Sequence, residues 1–76
     1  MTEHPGTVEW VEIATGAAKT VPADEVPEEI RWADGPDGRP WPVTRIETLT
    51  LEDRREIRQF APDGTLLLTT YQRREA

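Results

Sequence analysis

The chain has 76 residues, of which 36% are hydrophobic and 32% charged, with no cysteine, seven prolines and a formal net charge of −6. That length holds one small domain, the missing thiols exclude disulfides and thiolate zinc clusters as staples, and the acidic balance argues against direct nucleic-acid binding, which needs a basic face to displace phosphate counterions. No stretch approaches the ~18 apolar residues that span a bilayer, and residues 1–6 carry neither a basic region nor an apolar run, so the expectation is a cytoplasmic protein without membrane contact.

In chain order, residues 1–6, with His4 as the single histidine, are expected to fray. Residues 7–21 read as a first hairpin, with Thr15 and Gly16 as its two turn residues. That turn sets Trp10 opposite Val21 and Glu12 opposite Lys19, the only lysine. Residues 22–42 read as a crossover loop. Pro22, Pro27, Pro36, Pro40 and Pro42 forbid a long helix or a central strand there. One helical turn fits Pro27 to Ile30, with Pro27 at its first position. Asp34 to Pro40 is loop, and Gly38 within it is expected to tolerate a side chain.

Residues 43–73 read as a three-stranded antiparallel meander. Val43 to Leu51 is rich in β-formers, Glu52 and Asp53 interrupt it, and strand character resumes up to Ala61. A helix over Leu49 to Phe60 competes, since the acidic pair suits a helix N-terminus, although only Leu49, Ile57 and Phe60 offer a helical stripe. Pro62-Asp63-Gly64 is a turn: proline presets the first corner and Gly64 takes the positive φ that closes a G1 bulge. Residues 74–76 form a tail. The fold class is therefore mostly β, a small antiparallel sheet of two hairpins and one added strand with a proline-rich crossover, free to curl into an open barrel.

Side-chain alternation from the Pro62–Gly64 turn pairs Phe60 with Leu66, Arg58 with Leu68 and Ile57 with Thr69. Phe60, Leu66 and Leu68 then share one face, and Ile57, Ala61, Leu67 and Tyr71 the other. Apolar groups on both faces require two covers. The first hairpin and the loop bearing Ile30, Trp32 and Trp41 supply one cover, which leaves the other face as a contact surface for a protein partner or for a second copy in a homodimer.

Catalytic chemistry fails on inventory. The chain has no serine or cysteine nucleophile, a lone terminal histidine, and no glycine-rich phosphate loop. Asp24, Glu25, Glu28 and Glu29 form an acidic patch, but without the spacing or bend glycine of a calcium loop. No metal, cofactor or enzymatic activity is expected. Trp32, Arg39 and Trp41 either clamp the crossover onto the sheet or anchor a partner, since tryptophan and arginine are favoured at interface hot spots. The sequence thus points to a non-enzymatic interaction module. Two alternatives are an acidic mimic, whose carboxylates occupy a basic nucleic-acid-binding site on another protein, and an accessory subunit of an enzyme encoded elsewhere. The arginine bias, eight to one over lysine, suits a GC-rich bacterial coding sequence and carries no functional weight.

Overall fold

Alternating β-branched and polar residues open the chain with β1 (Thr7–Glu12) and β2 (Ala18–Pro22), paired as an antiparallel hairpin. A 3-10 turn (Ala23–Glu25) and a single α-helical turn, α1 (Glu28–Arg31), follow. The remaining strands are β3 (Trp32–Asp34), β4 (Pro40–Pro42), β5 (Arg45–Thr50), β6 (Arg54–Phe60) and β7 (Leu66–Arg73). The computed structural model describes residues 6–73. His4 and the expected C-terminal tail lie outside the described residues, as does all of the expected N-terminal fraying except Gly6.

The main sheet has five strands in the order β2-β1-β5-β6-β7, and β3 and β4 form a separate two-stranded ladder. The meander over 43–73 is present as β5-β6-β7. The competing helix is absent: Thr50 pairs with Arg55, and Leu51 N–H donates to Arg54 O at 2.8 Å around the Glu52-Asp53 corner. Period-two burial of Ile57, Gln59 and Ala61 outweighs the weak helical stripe.

The sheet is mixed, because β1 runs parallel to β5, with Trp10 beside Ile46 and Glu12 beside Thr48, and it does not close into a barrel, because its end strands β2 and β7 do not pair. Parallel neighbours need a long crossover, and residues 23–44 provide it by passing over one face. The first hairpin therefore lengthens the sheet sideways and does not cover it. The cover is the crossover alone. Within it Trp32 pairs with Pro42, Ala33 with Trp41 and Asp34 with Pro40, a ladder where sequence reading expects only loop. Prolines are tolerated because both strands of a two-stranded ladder are edges. Pro27 caps α1 from an extended conformation, ψ 137°, one position before its first turn.

Two registers differ from those read in the sequence. In the first hairpin Trp10 pairs with Lys19 and Val8 with Val21, a slip of two residues (21 − 19) from the expected Trp10–Val21 pair. The turn is longer than Thr15-Gly16. Glu12 N–H donates to Ala17 O, Gly16 N–H donates to Glu12 O, and Gly16 takes φ +73°. Glu12 loses Lys19 as its opposite and accepts instead from Thr48 Oγ1 at 2.7 Å. An even slip preserves side-chain parity, so Val8 and Trp10 still face the core.

The second difference changes parity. Phe60 does pair with Leu66, and Ala61 N–H donates to Thr65 O across the turn. Asp63 Oδ1 accepts from Thr65 N–H at 2.9 Å, and this bond holds its carboxyl below the usual range. A β-bulge then makes Leu67 the extra residue, so Gln59 pairs with Leu68, Arg58 with Thr69 and Ile57 with Thr70. The bulge lets Leu67 pack against the core. It also moves Leu68 to the covered side, opposite Gln59, and sends Tyr71 to the open side, opposite Glu56. The expected Phe60–Leu66–Leu68 face is thus broken.

Gly64 has φ +89°, as its turn demands, but Gly38 has φ +77° as well. The expectation that Gly38 tolerates a side chain is corrected. A Cβ meets nothing within 4 Å at either position, so the cost is purely that of left-handed backbone. Gly38→Val and Gly64→Val should each lower stability by more than about 1 kcal/mol in urea unfolding. A Gly38→Val variant as stable as the parent would contradict this.

The core lies between the covered face and the crossover. Val8, Ile46 and Ile57 come from the sheet, and Val26, Ala33 and Val43 from the cover, with Trp10, Val21, Ile30 and Leu67 at the margin. Gln59 Nε2 ties the sheet to the cover by donating to Ile30 O at 2.8 Å, and the cover is held together by Val43 N–H donating to Arg31 O at 3.0 Å and Arg31 Nη2 donating to Val26 O at 2.8 Å.

Candidate functional site

The open face is set by the strand residues out of phase with the core. Glu9 and Arg45 lie side by side on it, as do Glu47 and Arg58, then Leu49 and Glu56. Their charges form one connected row. Arg45 pairs with Glu9 and reaches Glu47 at 3.0 Å. Arg58 reaches Glu47 at 4.0 Å and Glu56 at 3.6 Å, and Arg54 reaches Glu56 at 3.5 Å. The arginines stay at the surface while Glu47 and Glu56 are largely covered, and surface pairs contribute little stability individually. Their effect is to make the middle of the open face polar, where an apolar surface was expected. Sequence reading missed this row, although the alternation Arg45-x-Glu47 and Arg54-x-Glu56-x-Arg58 announces it.

Apolar surface is concentrated at one margin. Phe60 and Leu66 are cross-strand neighbours on the open face. Leu66 is 51%, Leu68 50% and Tyr71 62% exposed. Arg54 lies over the Tyr71 ring, 5.8 Å from its centroid, within cation–π range. So three predicted contact residues, Phe60, Leu66 and Leu68, do gather at one place, but around the β7 edge and from both faces. Tyr71 joins them, and it was missed because the bulge reverses its side.

The two sheet edges are unequal. β2 is five residues long and carries Lys19 and Pro22, both of which discourage pairing with another chain. β7 is eight residues long, with neither lysine nor proline. Among the described residues it pairs in the sheet only with β6, so no described strand takes up the backbone groups of its far side, although β3 of the crossover comes close to it.

The other predicted residues lie elsewhere. Trp41 Nε1 donates to Asp37 Oδ1 at 3.0 Å, and Arg39 N–H donates to the same oxygen at 3.0 Å. Gly35 lies against the indole, where a Cβ would fall 2.5 Å from its ring atoms. Trp41 therefore clamps the 35–39 turn. Trp32 is half-buried opposite Pro42, and the Arg39 side chain is exposed. Asp24, Glu25, Glu28 and Glu29 are all exposed on the 3-10 turn and α1, and none takes part in an ion pair among the described residues.

A shallow, open recess of about 320 Å³ is lined by Trp10, Glu12, Ala17, Ala18 and Lys19. Glu12 is engaged there by Thr48 Oγ1, and no second carboxylate lines the recess as an acid–base partner. Among the described residues no three His, Cys, Asp or Glu side chains converge to hold a metal ion, and no helix is long and apolar enough to cross a membrane. No family model matches the chain, and neither does any curated protein or solved structure.

Proposed function

We propose that the chain is a non-enzymatic interaction module that binds another protein, or a second copy of itself, through the β7 edge and the side chains around it, Phe60, Leu66, Leu68 and Tyr71. The observation that carries this reading is the inequality of the edges: β2 is short and carries Lys19 and Pro22, while β7 is long, has neither lysine nor proline and is flanked by exposed leucines.

The test compares two neighbouring glutamates. Leu66 is exposed, whereas Leu67 packs on the core. Leu66→Glu should keep the fold and abolish association, read by light scattering at micromolar concentration and by affinity capture from the native host. Leu67→Glu should lower the melting temperature. If Leu66→Glu leaves both association and capture unchanged, the edge is not the contact.

The acidic-mimic reading draws support from the four exposed carboxylates Asp24, Glu25, Glu28 and Glu29, which form no ion pair among the described residues. It predicts binding that weakens steeply as salt rises, whereas a contact through the leucines at the β7 edge should respond little.

A further inference from the structure

We infer that β7 exchanges between two registers on β6: the bulged one described above, and a second in which the bulge is gone and every side chain beyond Leu67 changes faces. In the bulged register Gln59, Arg58, Ile57, Glu56, Arg55 and Arg54 stand opposite Leu68, Thr69, Thr70, Tyr71, Gln72 and Arg73. Without the bulge each would stand opposite the residue one earlier, from Leu67 for Gln59 to Gln72 for Arg54.

The sequence of β7 makes this slip cheap for the core. Leu67-Leu68 and Thr69-Thr70 are doublets, so on the covered face Gln59 keeps a leucine opposite it and Ile57 keeps a threonine in either register. Leu67 packs against the core in the bulged register and stays on that side after the slip. Register is firmly specified where a slip would put the wrong side chains in the core, and the two doublets remove that penalty.

Gains and losses also offset at the far end of the ladder. The bulged register sets Arg54 directly opposite Arg73, and like charges so placed repel. Glu52 and Asp53 balance the net charge of this corner, but neither stands opposite Arg73 in the ladder. The slip puts Gln72 opposite Arg54 and brings Arg73 level with Asp53. It gives up the contact of Arg54 with the Tyr71 ring, 5.8 Å from its centroid, and puts Tyr71 opposite Arg55, another arginine.

β7 can move without its neighbours. Among the described residues it pairs in the sheet only with β6, and β3, which comes close to it, does not pair with it. The ladder already holds one extra residue, so the bulge can travel along β7 as each residue in turn becomes the unpaired one. The open face then changes its display. The bulged register shows Leu66, Thr69, Tyr71 and Arg73 there, and the second shows Leu66, Leu68, Thr70 and Gln72 beside Phe60. A ligand with higher affinity for one display shifts β7 toward that register.

Relaxation-dispersion NMR on the full chain should find a second state at residues 68–73, populated at about 0.1–10% and exchanging in about microseconds to milliseconds, with β1 and β2 amides silent. Deleting Leu67 removes the extra residue while leaving Leu68 opposite Gln59 and Tyr71 opposite Glu56, so the exchange should vanish. Thr70→Arg sets the new side chain opposite Ile57 in the bulged register and opposite Glu56 in the second. It should raise the second population about threefold or more, as cross-strand nuclear Overhauser contacts of Tyr71 move from Glu56 to Arg55.

No second state in either the parent or Thr70→Arg overturns the two-register assignment, and so does exchange that persists after Leu67 is deleted. A second state with the shifts of an unfolded strand overturns it as well, because β7 then detaches and does not slip. Each of these results leaves the contact tested by Leu66→Glu standing.

Discussion

Ile46→Ala is expected to lower the unfolding free energy by about 2–5 kcal/mol, the range for truncating a fully buried aliphatic side chain. Ile46 is 0% exposed and belongs to the cluster in which β1, β5 and β6 meet the crossover. It lies beside Trp10 on one side and Gln59 on the other, so the cavity has strands on both flanks that cannot close in to fill it. A domain of this length has a total stability of only about 4–11 kcal/mol. Urea unfolding should therefore show a large fall in midpoint, and an unfolded variant at 37 °C is an acceptable outcome. Leu68→Ala, half exposed, should stay within about 0.5 kcal/mol of the parent. Similar losses at the two positions would show that the cluster is not the core.

Gln59→Leu should cost about 1–3 kcal/mol even though the new side chain is close in volume. Gln59 is 1% exposed and donates to the carbonyl of Ile30. Leucine would leave that carbonyl without its donor beneath the cover. The loss should be local. Hydrogen exchange should quicken at Val43, whose N–H donates to Arg31 O, while amides of the β5–β6 ladder keep their parental ranking. Unchanged exchange at Val43 would show that Gln59 does not fasten the crossover to the sheet.

The parts of the fold legible in the sequence are those fixed by neighbours in the chain. Pro62-Asp63-Gly64 encodes its own turn, and the β-formers from Val43 to Leu51 and on either side of that turn favour strands, so the meander could be read without tertiary information. The β1–β5 pairing could not, because nothing local in Trp10 or Ile46 names the other as a parallel neighbour. The first hairpin slipped by two because both registers keep Val8 and Trp10 on one face, and parity cannot separate them. The bulge at Leu67 was hidden for a related reason: three consecutive leucines, Leu66 to Leu68, carry no alternation to show where the register breaks. That break also limited the site. Side-chain alternation singles out Phe60, Leu66 and Leu68 as candidates, but does not place them along an edge. Tyr71 and Arg73 depend on a strand alignment that the bulge sets.

The parallel pairing of β1 with β5 also governs when the molecule can exist. Glu12 meets Thr48 across 36 residues of chain, and closing a loop of that length costs about 3 kcal/mol of entropy before any contact repays it. The β5-β6-β7 meander needs only short closures and can form early. The first hairpin, though synthesised first, has no inner neighbour until residues 45–50 leave the ribosome. Until then Val8 and Trp10 face water and the crossover has no sheet to lie on. Docking of β1 onto β5 is the long-range closure of the main sheet and is expected to slow folding relative to the meander, and a nascent chain arrested before β5 has no described strand to pair with the inner side of β1.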